Sequence, residues 1–163
     1  MRRFALAVCL VVSCTLLLLA KSKPMTVEFK DGRGATVGTA NITGKGKGSQ
    51  IHLDLKGLPP GTHAIHVHEN PTCEGPDFKT AGAHLNPDKK QHGTENPQGA
   101  HKGDLPNFEV KPDGTAKATV SARNVDAGSM NNVSLVIHEK ADDYKTDPSG
   151  NSGARIACAV VKQ

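Results

Sequence analysis

Six of the chain's eight histidines fall between Gly61 and Asn107, and Asp104 follows the last of them by three residues. These six are His63, His66, His68, His84, His92 and His101, set among glycines, prolines and asparagines. Neutral imidazole is the commonest protein metal ligand. So dense a set on a loop of this composition therefore reads as a metal site. Zinc takes four ligands from Cys, His or carboxylate, and copper(II) favours imidazole nitrogen. The stretch offers enough ligands for more than one ion.

The spacing divides the set. His66 and His68 lie two apart on a β-type segment, so both side chains leave the same face of one strand. A single strand histidine is ordinarily a surface residue, whereas a same-face pair beside four more imidazoles reads as a grip on one ion. His84, His92, His101 and Asp104 are spread along irregular chain, where separate turns can gather them around one centre. Three imidazoles and a carboxylate complete a tetrahedral zinc shell, a closed arrangement of structural type with no open position for water.

The elements that must position these residues are short strands. Aromatic residues are few and tryptophan is absent, so the core has to come from Val, Ile, Leu and Ala. Alternating segments are expected at 25–30, 35–43, 49–56, 62–68, 107–111, 115–122, 133–138 and 155–161, separated by Gly, Pro, Asn or Asp. In the third, Ile51, Leu53 and Leu55 face one way and His52 and Asp54 the other. No segment carries a convincing helical period. Eight short strands with turns between them predict an all-β, antiparallel sandwich or barrel. The connection between Glu69 and Leu105 is too long to be a plain link, and loops of that length are usually functional.

The first 20 residues read as a leader. Arg2 and Arg3 precede an apolar run from Phe4 to Leu19, the pattern of a secretory signal. Val11-Val12-Ser13-Cys14 resembles a lipoprotein box that would leave Cys14 lipidated, while cleavage after Ala20 is the other reading. The folded domain is expected over 25–163, in a periplasmic or extracellular setting, free or anchored to the envelope. Without the two leader arginines, 18 basic residues face 16 acidic ones and the formal charge is +2. A balance so near neutral gives no case for nucleic acid. Cys73 and Cys158 are the cysteines outside the leader. In an exported protein they can form one disulfide, worth ~4 kcal/mol for so long a loop in the chain-entropy picture; two free buried thiols are the alternative.

At this point the residues resemble a known family, the Cu,Zn superoxide dismutases, and in particular its exported bacterial members. The resemblance covers nearly the whole chain after the leader. It rests on His66-Val67-His68-Glu69, Ala81-Gly82-Ala83-His84-Leu85-Asn86-Pro87, Gln91-His92-Gly93, His101-Lys102-Gly103-Asp104-Leu105, Val136-Ile137-His138-Glu139-Lys140-Ala141-Asp142-Asp143 and Gly150-Asn151-Ser152-Gly153-Ala154-Arg155-Ile156-Ala157-Cys158, in the family's order. The resemblance implies an eight-stranded Greek-key β-barrel with long metal-binding and electrostatic loops. It implies an enzyme that dismutates superoxide to oxygen and hydrogen peroxide. Copper would be held by His66, His68, His84 and His138, and zinc by His84, His92, His101 and Asp104, so that His84 serves both. Asp142 would tie a copper histidine to a zinc histidine. Arg155 would hold the superoxide anion, and Cys73 and Cys158 would be the family's disulfide. His63 corresponds to a structural histidine of the barrel; His52 corresponds to nothing functional and reads as a surface residue.

The segment between Asp142 and Arg155 departs from the common animal pattern and lacks its Glu-Glu and Lys arrangement; Lys145, Lys79 or Lys102 could supply the steering charge. The family includes dimers and monomers, so a homodimer stays open, as does membrane attachment through the leader or a lipidated Cys14. Two other classes compete with this reading. A dismutase-like carrier or structural paralogue would be expected to lack a copper ligand or the arginine, and all five are present. A zinc hydrolase needs an open zinc position and a general base, and Asp104 as fourth ligand argues against it.

Overall fold

The computed structural model describes residues 24–162; the leader, with Arg2, Arg3 and Cys14, lies outside the described residues. Nine strands follow in chain order: β1 (Met25–Asp31), β2 (Thr36–Lys45), β3 (Gly48–Leu55), β4 (Gly61–His63), β5 (Ile65–His68), β6 (Phe108–Val110), β7 (Ala116–Ala122), β8 (Val133–His138) and β9 (Arg155–Val161). One short 3-10 turn, Lys79–Ala81, is the remaining regular element among the described residues. Seven strands form one antiparallel sheet in the order β5-β8-β9-β1-β2-β3-β7, and β4 pairs with β6 in a separate ribbon. The fold is thus all-β and antiparallel, as the alternation predicts.

The count is nine where the sequence suggests eight, because the expected strand at 62–68 is two. Its halves take different partners: β4 runs against β6, and β5 against β8. Ala64 sits at the break, donating its N–H to Lys140 O and accepting from His138 N–H. The interruption moves β5 onto the sheet that carries His138.

Along β3 the pattern is simple, with Ile51, Leu53 and Leu55 buried and His52 and Asp54 exposed. These residues join Phe29, Ile42, Leu135, Ile137 and Val161 in one core. β5 and β8 are different, because every residue of both is buried. Ile65, Val67, Leu135 and Ile137 face the core, so the alternate residues His66, His68, Ser134, Val136 and His138 must be covered from outside.

The long loop is that cover. It lies against β5 almost as a further strand, with Val67 N–H donating to Gly103 O, Leu85 N–H to Val67 O and Gly103 N–H to Leu85 O. Glycine is required at 103, since a Cβ there would collide with Val67 O. A second small core of Phe78, Ala81, Val136 and Cys158 forms beneath the loop. Cys73 and Cys158 are bonded, with a Cα–Cα distance of 5.6 Å across a sequence separation of 85. The bond fixes the start of the loop to β9.

β8 and β9 shift register between Ile137 and His138, after which His138 faces Arg155 directly. Such an irregularity re-aims side chains at a strand end. Here it puts an imidazole and a guanidinium side by side.

Candidate metal centre

Seven of the eight histidines have their surroundings set by this architecture, and six of those converge. His66 and His68 leave the loop-facing side of β5, and His138 leaves the end of β8. His84 and Asp104 come from the two loop segments bridged to β5, opposite His68 and His66 respectively. His92 and His101 are carried on the loop between them. Ring-centre separations of 4.0 Å for His66–His84, 4.9 Å for His68–His84 and 4.8 Å for His66–His138 show how closely the imidazoles are packed.

Four of the rings have one nitrogen committed to a protein acceptor. His68 Nδ1 lies 3.0 Å from Gly82 O. His66 Nε2 lies 2.7 Å from Asp142 Oδ2, and His92 Nε2 2.9 Å from Asp142 Oδ1. His138 Nδ1 lies 3.1 Å from Ser152 Oγ and 3.4 Å from Gly153 O. A nitrogen that donates to such an acceptor carries the proton and leaves a lone pair on the other.

Those other nitrogens are the unusual feature. His66 Nδ1, His68 Nε2, His84 Nε2 and His138 Nε2 are buried with no hydrogen-bond partner. Buried polar atoms are nearly always paired, and each exception needs an explanation. The ligand-type atoms of His66, His68, His84 and His138 all lie within 4.8 Å of one another. Four lone pairs converging in one buried space is the donor set copper prefers.

A second group forms around Asp104. Its Oδ1 is 3.0 Å from His84 Nδ1, 3.0 Å from His92 Nδ1 and 3.3 Å from His101 Nδ1. His101 Nδ1 and His84 Nδ1 are 3.4 Å apart. Zinc–ligand bonds of ~2.0 Å at tetrahedral angles put neighbouring ligand atoms about 3.3 Å apart, so the spacing fits that ion. Asp104 divides its oxygens: Oδ2 accepts 2.9 Å hydrogen bonds from Gly93 N–H and His101 N–H, while Oδ1 faces the three rings. His84 belongs to both groups, Nδ1 in one and Nε2 in the other.

The electrostatics agree with metal ligation. Burial pulls His68 and His138 down to about 2, with neighbouring charge adding to it, and pulls His84 down to about 4 against the opposing pull of Asp104. These rings are held neutral, the form that binds metal. Burial lowers His92 too, but the Asp104 and Asp142 carboxylates outweigh it and hold the group at about 9. Burial favours the acid form of Asp104 and Asp142, yet hydrogen bonds from the histidines hold both well below the usual carboxylate range.

Arg155 stands at the start of β9, half-buried, its guanidinium donating to Phe78 O and Gly82 O at 2.7 Å each. Burial lowers its pKa, with Asp77 opposing; a guanidinium remains charged regardless. A cavity of about 450 Å³ opens beside it, lined by Pro76, Asp77, Lys79 and Gly153 among others. Of Lys145, Lys79 and Lys102, Lys79 lines this cavity and pairs with Asp77 at 2.7 Å. Lys145 is engaged with Glu95 at 3.0 Å.

The two remaining histidines stand apart. His63 is buried in the barrel with its ring nitrogens 2.8 Å from His138 O and from Pro59 O. His52 is exposed on β3, 3.0 Å from Thr119 Oγ1.

Sequence reasoning missed the residues that brace Asp142. Asn107 and Asp142 exchange two hydrogen bonds, and the Tyr144 hydroxyl accepts from Asn107 N–H at 2.8 Å. Tyr144 N–H donates to Asp142 Oδ1 at 2.6 Å. Gly150 packs so tightly here that a Cβ would overlap Asp142 Oδ1 and lie 2.8 Å from His92 Nε2. The last signal was legible in kind, as the glycine that opens the last of the quoted motifs.

Residues 36–161 match the sequence model of the family described as copper/zinc superoxide dismutase (SODC). Superoxide dismutase [Cu-Zn] 1 of Aquifex aeolicus is 42% identical, the match covering 88% of this chain and 90% of that protein. The crystal structure of a SOD-like protein from Bacillus subtilis aligns with a TM-score of 0.77 at 38% identity, covering 83% of this chain and 97% of that one. The Cu/Zn superoxide dismutase from Brucella abortus aligns with a TM-score of 0.75 at 32% identity, covering 86% and 100% respectively.

Proposed function

This chain belongs to the copper/zinc superoxide dismutase family, and we propose that it works through two ions sharing His84. The enzyme is a copper–zinc superoxide dismutase with superoxide as its substrate; the assignment of residues to roles is our reading. His66, His68, His84 and His138 would hold copper, and His84, His92, His101 and Asp104 would hold zinc. The observation that carries it is the convergence of four buried, unpartnered ring nitrogens in one group and of three ring nitrogens around Asp104 Oδ1 in the other, with His84 in common.

When bound, copper supplies one-electron redox chemistry and zinc a fixed charge. The protein supplies the rest. Two superoxide anions and two protons become one oxygen and one hydrogen peroxide, so an anion must be held and protons delivered. Arg155 is positioned to hold the anion, because its fork is fixed by the Phe78 and Gly82 carbonyls and lies opposite His138. A preorganised charge of this kind favours productive binding. His84 Nε2 is the atom at which the chain would take up and return a proton, while its Nδ1 stays with Asp104, His92 and His101. Asp142 orients His66 and His92 together, so that the two ligand groups move as a unit. Lys79, at the cavity beside Arg155, is the steering lysine best supported by position.

The setting is proposed to be exported, protecting the cell envelope or extracellular space from superoxide. The leader pattern and the Cys73–Cys158 bond, stable in oxidising compartments, support this. The domain is assigned to 25–163.

The test is metal content and superoxide consumption of the protein after zinc and copper reconstitution. One copper and one zinc per chain with fast turnover is expected. Zinc bound beside inert or weak copper would favour the carrier reading instead.

A further inference from the structure

One end of the barrel carries an unneutralised cationic cluster that has no part in the metal chemistry. β2 ends at Lys45 and β3 begins at Gly48, so the turn between them projects Lys45 and Lys47, both exposed. Ser49 pairs with Ala122 at the end of β7, which places exposed Arg123 beside the same turn. Lys45, Lys47 and Arg123 line one pocket of about 310 Å³. Lys162, also exposed, follows Val161, the residue of β9 paired with Val133 where β8 begins. None of the four makes an ion pair among the described residues. Asp126, the one acid between Arg123 and Asn132, is turned onto its own loop by Gly128 N–H, Ser129 N–H and Ser129 Oγ.

The chain also enters the barrel at this end. Met25 pairs with Ile42, three residues before Lys45. In sequence, five residues, Ala20 to Pro24, separate β1 from the apolar run, and two of them are lysines. Five residues reach at most ~18 Å, about two Debye lengths at physiological salt. An anchor in the apolar run would therefore hold this end against a bilayer. A lipid on Cys14, separated from Met25 by ten residues with a reach of up to ~36 Å, would tether the same end more loosely. A single acyl chain gives only marginal attachment, and stable anchoring takes a second signal such as a polybasic patch.

The geometry points to this end as a docking surface for anionic phospholipid headgroups, with Lys45, Lys47, Arg123 and Lys162 as the contacts. The orientation leaves the enzyme accessible. Arg155 and Lys162 lie at opposite ends of β9, so docking through Lys162 points Arg155 and its cavity away from the membrane.

Lysine footprinting of the full chain tests this directly. Lys56 and Lys111 serve as internal references, because Lys56 follows the far end of β3, about 30 Å from Lys47 along the strand. With vesicles of phosphatidylglycerol and phosphatidylcholine, Lys45 and Lys47 should be acetylated at least about fivefold more slowly than with phosphatidylcholine alone, the factor one lysine's attraction to an anionic surface amounts to. Lys56 and Lys111 should react equally on both. Protection should vanish near 1 M salt, where screening shortens to ~3 Å. In the full-chain K45E/K47E/R123E variant, Lys162 should lose its protection while superoxide turnover is unchanged. Equal labelling of Lys45 and Lys47 on both vesicles would overturn the proposal. So would protection of Lys162 that survives the triple substitution, since the leader alone would then explain it.

Discussion

Asn107 and Asp142 hold each other by two reciprocal hydrogen bonds of 2.9 Å, the Asn107 amide donating to Asp142 O and the Asp142 N–H donating to Asn107 Oδ1. Asp142 in turn holds His66 and His92. Asn107 is therefore one step removed from both proposed metal groups while touching neither. Its own N–H is fixed by Tyr144, the sole tyrosine of a chain without tryptophan.

Asn107→Ala should loosen Asp142 and weaken metal retention about 10- to 100-fold, the range for residues that orient ligands. Zinc competition with a chelator reads this directly. Tyrosine emission, arising from Tyr144 alone, should change in parallel. Wild-type zinc affinity in the variant would remove Asn107 from the brace.

His138→Ala should abolish dismutation while zinc remains at one per chain. His138 contributes to the first group alone, and His84, His92, His101 and Asp104 are left intact. Retained activity would contradict the copper assignment; loss of both metals would show that the groups do not bind independently.

Arg155→Ala should lower kcat/KM by about 10²-fold or more, as expected for removal of one preorganised electrostatic donor, with copper and zinc content unchanged. An unaltered rate would eliminate the anion-holding role.

Reducing the Cys73–Cys158 bond should release the start of the loop from β9. Phe78 and Gly82 anchor Arg155 and His68, so metal retention and turnover should fall together. Stability should drop by up to ~4 kcal/mol in the chain-entropy picture. Unchanged metal content under reduction would show that the loop needs no pin.

The metal-free protein should be acid-labile well before carboxylates titrate. His68 and His138 lie at about 2 and His84 at about 4 when folded, against 6.5 unfolded. The unfolded chain therefore binds more protons below pH 6.5, and stability falls as the pH drops from there. Asp104 and Asp142, also lowered, extend the loss below their unfolded value of 3.8. His92 acts oppositely: raised to about 9, it stabilises below 6.5 and loses that contribution as the pH rises through 9. Urea midpoints of chelator-treated protein should be lower at pH 5 than at pH 7. The reverse order would mean that His92 dominates.

The alternation of Ile51, Leu53 and Leu55 with His52 and Asp54 made β3 legible, because one face is core and the other solvent. The same logic failed at 62–68, where a continuous pattern concealed a break at Ala64. What breaks the strand is a change of partner from β6 to β8, a long-range event that leaves no local mark. The histidine spacing showed that a metal centre existed. It could not show that the loop-facing side of β5 and β8 is as dry as the core, a property created by Gly103 and Leu85 lying against Val67. Asn107 and Tyr144 were invisible for the same reason: a polar side chain acquires its role from what the fold sets opposite it.

The central claim is that His84 serves two different ions. Anomalous diffraction at the copper and zinc edges, from one crystal of reconstituted protein, tests it most directly. Two peaks are expected, copper among His66, His68, His84 Nε2 and His138, and zinc among His84 Nδ1, His92, His101 and Asp104. A single occupied position, or a metal seated among His66, His92 and Asp142 instead, would contradict it.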